Sequence, residues 1–167
     1  MKILCTVLAT TVLLFSNIVH ARVTSLSVAV NGMACPFCAF GVEKRLKTVE
    51  GVTSVTVDMK TGTATVTAGT DTSIHFQDVP QAVKDAGFTA GDMKIIVSGH
   101  IDTNKDDSLV VRFDGFSLAL QTKDNSLKAR LNTAAEKGEP VIVNGLIYLN
   151  RDKEWILSPE TVKDVGP

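Results

Sequence analysis

Residues 32–58 read GMACPFCAFGVEKRLKTVEGVTSVTVD, and three different local patterns meet in them. Cys35 and Cys38 stand three positions apart in a loop, and Pro36 between them suits the first turn of a helix. Val42, Leu46 and Val49 then recur at four and three residues, with Glu43, Lys44, Arg45 and Lys47 interleaved, which predicts an amphipathic helix stopped at Glu50-Gly51. Val52, Val55 and Val57 lead on to a Lys60-Thr61-Gly62 turn, and Ala64, Val66 and Ala68 lead back, so a β-hairpin follows the helix.

Working outward, VTSLSVAV at 23–30 has strand character and is broken by Asn31-Gly32. On the other side a second helix is expected from about Asp78 to Ala86, with Val79, Ala82, Val83 and Ala86 on one face, Pro80 in its first turn and Gly87 at its end. Met93 to Val97 reads as a strand. Strand, helix, strand, strand, helix, strand is the split βαβ order of the ferredoxin-like fold: an α+β domain of antiparallel sheet and two helices, expected over residues 22–93.

Residues 94–167 repeat neither that order nor its motif. Strands are expected at Ile95–Asp102, Leu109–Phe113 and Phe116–Gln121, the last two joined by Asp114-Gly115. Ser126 stands where it can cap a helix carrying Leu127, Leu131, Ala134 and Ala135 and closed by Gly138 and Pro140; strands at Val141–Leu149 and Trp155–Leu157 complete the chain. Three strands, a helix and two strands is the order of an OB-fold, so a small β-rich second domain is expected. Met93–Asp102 reads either as two strands or as one long one.

The first 21 residues stand apart. Met1-Lys2, the apolar run ILCTVLATTVLLF and the more polar SNIVHA have the three parts of a secretory signal peptide, with cleavage expected after Ala21. Ser16, Asn17 and His20 shorten the run below the roughly 20 apolar residues that a membrane span needs. The protein is therefore expected in the periplasm or outside the cell and not spanning a membrane. Loss of the leader removes Cys5 and Lys2 and leaves 16 basic and 18 acidic side chains, a balance that argues against nucleic acid as a partner. It also leaves Cys35 and Cys38 as the mature chain's cysteines, one close pair rather than a framework, in a compartment where stable thiols are usually paired.

Cys38 falls in the first helical turn and Cys35 just before it, where unpaired N–H groups and the helix dipole favour thiolate. Two soft sulfurs with no histidine or carboxylate beside them suit a two-coordinate ion, Cu(I) or Hg(II), better than Zn(II), which takes four ligands. Spacing alone leaves alternatives open, because redox enzymes use C-x-x-C too, and a purely structural disulfide would look the same.

The stretch quoted above, together with VPQAVKDAGFTA at 79–90, closely resembles the heavy-metal-associated domain, the family of copper chaperones, metal-pumping ATPase modules and periplasmic mercury-binding proteins. Its G-M-x-C-x-x-C stands here as Gly32, Met33, Cys35 and Cys38, and its G-V after the first helix as Gly51-Val52. The resemblance covers about 70 of the 146 mature residues. It implies that Cys35 and Cys38 bind the ion as cargo rather than as catalytic cofactor, that Met33 packs beneath the loop, and that Phe88 lies beside the site. It also implies a non-enzymatic protein that hands its ion to a metal-transporting membrane protein or a periplasmic carrier. Pro36-Phe37 departs from the small residues commoner between the family's cysteines. C-P-F-C is a spelling also familiar from glutaredoxin-like sites, so a periplasmic thiol–disulfide oxidoreductase is the rival reading.

Other residues give weaker signals. Asp102, Asn104 and Asp106 occupy the first, third and fifth places of a calcium loop, but Asp107 and Phe113 replace its sixth-place Gly and twelfth-place Glu, so an acidic turn is the better reading. His75 and His100 are isolated and are given no role. Phe113, Phe116, Tyr148 and Trp155 are read as barrel core in preference to a stacking face.

Overall fold

The structure, a computed structural model, describes residues 21–104 and 106–165. The expected leader lies, apart from Ala21, outside the described residues. From Arg22 the order is β1 (Arg22–Asn31), α1 (Pro36–Leu46), β2 (Val52–Asp58), β3 (Thr63–Ala68), a 3₁₀ turn at Phe76–Asp78, α2 (Val79–Asp85) and β4 (Thr89–Thr103). The sheet order β2-β3-β1-β4 is antiparallel throughout, and α1 and α2 pack side by side, as the ferredoxin-like reading expects.

α1 is shorter than its apolar pattern. It ends at Leu46 because the next N–H groups turn to nearer carbonyls: Thr48 N–H donates to the Arg45 carbonyl (3.0 Å), the Thr48 hydroxyl to the same oxygen (2.7 Å), and Val49 N–H to Leu46 (3.2 Å). Val49 is still buried, so the face continues after the helix has stopped. Gly51, at φ 82°, then turns the chain into β2.

Met93–Asp102 proves to be part of one long strand. β4 takes 15 residues, and one of its edges bonds first to β1 (Arg22↔Ser98 through Asn31↔Thr89) and then to β5 (Leu109–Phe113). Its other edge bonds to β7 (Pro140–Leu149) from Met93↔Ile147 to His100↔Pro140. With β6 (Phe116–Leu120) and β8 (Trp155–Asp164), the order β4-β5-β6-β8-β7 returns to β4 and closes a β-barrel. The β6–β8 pair is parallel. The expected division between residues 93 and 94 therefore falls inside a strand that both regions use.

β8 runs well past the expected Leu157. Pro159 is accommodated opposite Gly145 at a register shift between Asn144 and Gly145, and the ladder resumes at Thr161. α3 (Asn125–Lys137) is capped not by Ser126 but by Asp124, whose Oδ1 accepts from the N–H groups of Ser126 (2.8 Å) and Leu127 (3.3 Å); Gly138, at φ 65°, closes it. Asp124 has the acceptor at N-cap, while Ser126 lies inside the helix.

One contiguous apolar core crosses both regions, from Leu26, Val42 and Leu46 through Phe76 and Ile95 to Leu131, Val143 and Leu157. Among the described residues no helix is long and apolar enough to cross a membrane.

Candidate metal centre

The backbone of β1 delivers the cysteines. Val30 and Asn31 end the strand beside Ala90 and Thr89, and Gly32, at φ 90°, turns the chain over the end of the sheet. Met33 is buried in the core beneath the loop, and the Phe88 ring lies about one van der Waals contact from where a Gly32 side chain would begin (3.9 Å). Both positions agree with the expectation drawn from the family. Phe88 is half-buried against the core and offers no polar group to the sulfurs.

Cys35 is the N-cap residue of α1, in extended conformation (φ −136°, ψ 151°), and its Sγ accepts the Cys38 N–H at 3.2 Å. The Cys35 carbonyl takes the N–H groups of Cys38 (3.0 Å) and Ala39 (3.2 Å). A cysteine sulfur thus fills the place usually held by a Ser or Asp oxygen, and donors at the positive end of the helix face it. The two Cα atoms are 5.1 Å apart and the sulfurs are joined as a disulfide. Both cysteines are half-exposed, whereas Pro36 and Phe37 between them are exposed. Sequence spacing thus placed both sulfurs correctly at the helix start and within reach of one another.

Among the described residues no group of three or more His, Cys, Asp and Glu side chains is arranged to hold a metal ion. The pair accordingly offers two sulfurs at an open loop, with no third side-chain ligand of those types gathered round it. β1 and β4 run away from the cysteine loop, β7 joins β4 only from Met93 on, and Arg22 and Ser98 are at their other end. The hollow of about 470 Å³ lined by Phe76, Phe116 and Trp155 also lies at that far end.

The remaining sequence candidates are dispersed. Asp102 is in β4, paired with Arg112 (Oδ2 to Nε, 2.9 Å), while Asp106 and Asp107 are in the β4–β5 turn. His75 Nδ1 stands 3.4 Å from Glu50 Oε2, and His100 lies exposed on β4. Of the four aromatic residues expected as barrel core, Phe113 is buried and Trp155 half-buried, but Phe116 and Tyr148 reach the surface. Tyr148 donates its hydroxyl to Gln121 Oε1 (2.9 Å). Sequence reading overlooked Phe76, which the structure places between the two regions; its apolar neighbours Ile74 and Val79 were the available signal.

A family model described as "Heavy-metal-associated domain" matches residues 27–89. Over 70 residues, which are 42% of this chain and 76% of the relative, the sequence is 39% identical to the mercuric transport protein periplasmic component of Shigella flexneri. It is 31% identical over 88 residues to copper-transporting ATPase 2 of Homo sapiens, covering 53% of this chain and 6% of that one. Among solved structures, oxidized MerP from Ralstonia metallidurans CH34 is 31% identical, with 42% of this chain and 96% of that one covered and a TM-score of 0.37. With Gly32, Met33, Cys35 and Cys38 carried on a β1–α1 loop of the expected topology, the chain belongs to the heavy-metal-associated domain family.

Proposed function

We propose that the reduced Cys35–Cys38 pair captures one soft metal ion, Cu(I) or Hg(II), and hands it on by ligand exchange, so that the protein is a carrier rather than an enzyme. The observation that carries this reading is the position of the two sulfurs: adjoining, at a helix N-terminus, on an open loop, with no cluster of three or more His, Cys, Asp or Glu ligands among the described residues. Two sulfurs hold a thiophilic ion strongly while leaving room for a partner's thiolate to enter as one of the pair departs. Exchange through a three-sulfur intermediate never frees the ion.

Loading requires reduction first. A dithiol reductant gives two electrons and two protons to the disulfide, forming two thiols, and coordination as thiolates releases those protons. The helix end favours the thiolate form, which suits capture near neutral pH.

We place the carrier in the periplasm or outside the cell, after removal of residues 1–21. The mercuric relative's description as a periplasmic component supports this, as does a disulfide of the kind that persists in oxidising compartments. A transport protein in the membrane or another carrier would receive the ion. We assign metal handling to residues 22–93 and treat 94–167 as an accessory OB-fold domain; its closed five-strand order, helix between the third and fourth strands, and parallel β6–β8 pair support that assignment.

Thiol–disulfide exchange through C-P-F-C is the second reading, and the disulfide itself favours it. Against it stands the fold, in which α1 is followed by the β2–β3 hairpin. Native mass spectrometry of oxygen-free, reduced protein beginning at Arg22, offered Cu(I), Hg(II) and Zn(II), separates the two. One retained Cu(I) or Hg(II), lost in Cys35→Ser/Cys38→Ser, is the expected result and chooses the metal. Failure to retain either ion, with rapid disulfide exchange against a dithiol, would give the site to redox chemistry.

A further inference from the structure

The end of the molecule that carries the cysteines is unusually apolar for a surface. Phe37 is 89% exposed and Phe40 67% exposed, and at i and i+3 they share one face of α1. Met59, 39% exposed, sits in the β2–β3 turn, which reaches the same end of the sheet because the Gly62 carbonyl accepts the Val30 N–H (2.7 Å). None of the three packs against the core. Large apolar side chains left in water in this concentration mark an interaction surface.

Basic groups flank them. Lys44, at i+4 from Phe40, continues the Phe face and is exposed, and Lys60 follows Met59 in the turn. Of the neighbouring acids, Glu43 pairs with Lys47 at 2.6 Å, while Asp58 keeps its charge and accepts the Lys60 N–H (2.8 Å) and the Thr61 hydroxyl (2.9 Å). The surface therefore offers apolar tips flanked by exposed ammonium groups for which the described residues supply no ion pair.

We infer that this end of the molecule docks on an anionic phospholipid surface, inserting Phe37, Phe40 and Met59 among the headgroups while Lys44 and Lys60 meet lipid phosphates. Tips on two separate elements, flanked by lysines, suit a fluid layer that admits each independently. Apolar insertion and attraction to anionic lipid add to one another in holding a protein at a membrane surface. Docking of this kind would hold Cys35 and Cys38 at the membrane face, and the barrel joins β4 only from Met93 on, past the Thr89 and Ala90 pairs beside the loop.

The inference goes beyond the metal-carrier reading and does not depend on it, because metal-free, disulfide-bonded protein suffices for the test. Protein beginning at Arg22 is sedimented with vesicles of phosphatidylglycerol and phosphatidylethanolamine, and separately with vesicles of phosphatidylcholine. Binding to the anionic vesicles alone, weakening as salt is raised, is expected. Phe37→Ala/Phe40→Ala should lose roughly tenfold or more of the bound fraction's partition coefficient, since two aromatic side chains no longer leave water. Lys44→Glu/Lys60→Glu should lose the preference for anionic lipid. All substituted side chains are exposed, and far-UV circular dichroism verifies that the variants fold. Wild-type protein remaining in the supernatant, or a Phe variant that sediments as wild type does, would overturn the proposal. Binding only to vesicles that carry a membrane protein would overturn it too and assign the surface to that protein.

Discussion

The ring of Phe76, on the turn that leads into α2, stands 5.5 Å from the indole of Trp155 at the start of β8, edge to face at 82°. Phe76 also meets Phe113 (6.4 Å) and Phe116 (6.5 Å), so one buried side chain from the first region is seated in the aromatic cluster of the barrel.

Replacing Phe76 with Ala removes that seat from both halves at once. A loss of about 3–5 kcal/mol is expected from such a cavity, measured by urea denaturation. Trp155 is the chain's one tryptophan, so its fluorescence reports the barrel directly. Fluorescence and far-UV circular dichroism should follow a single coincident transition in the wild type, and Phe76→Ala should shift both.

Gly51 permits no side chain. At φ 82° its backbone is one that L residues rarely adopt, and a Cβ there would run into the Ser73 carbonyl and Ile74. Gly51→Ala should cost about 1–3 kcal/mol from the backbone conformation alone, and more for the displaced Ser73. Gly87→Ala is the informative companion: φ is again positive (89°), but nothing lies near the added carbon, so its thermal unfolding midpoint should fall by less.

Asp58 gives the hairpin a dependence on pH. Its carboxyl is held below the ordinary carboxylate value by the Lys60 N–H first and the Thr61 hydroxyl second. The folded value being the lower one, this stabilisation is complete above the unfolded carboxylate's value and disappears as pH falls through the folded one. Wild type should therefore exceed Asp58→Ala in urea midpoint at neutral pH, and the gap should close in acid.

Asp124→Ala should cost about 1 kcal/mol through loss of the α3 cap, whereas Ser126→Ala should cost little. Equal losses in the two variants, by chemical denaturation, would contradict the observed cap.

The first region was readable because its signals are local and agree with one another. Pro36, the Val42-Leu46 spacing, the Gly62 turn and Pro80 each mark an element, and the cysteine spacing needs only the start of α1 to become a site. What could not be read depends on contacts between distant segments. The length of β4 is set by partners on both edges, and nothing in Thr89-Ala90-Gly91-Asp92 advertises a strand. Pro159 argues for an end to β8, but the register shift at Gly145 on the opposite strand absorbs it. Phe116 and Tyr148 carry the composition of core residues and yet keep more than a third of their surface in water, because which face of a barrel strand points inward depends on closure.

The shared strand has a mechanical meaning. With a rise of roughly 3.3 Å per residue, the 15 residues of β4 trace a path on the order of 50 Å, bonded on both edges from Met93 to Ser98 and irregular in register opposite Val28–Val30. Carriers strung on flexible tethers search a volume, and their success depends on tether length. A partner holding the barrel would fix the angle of the cysteine loop, and the proposed hand-over of an ion would then depend on angle instead of reach.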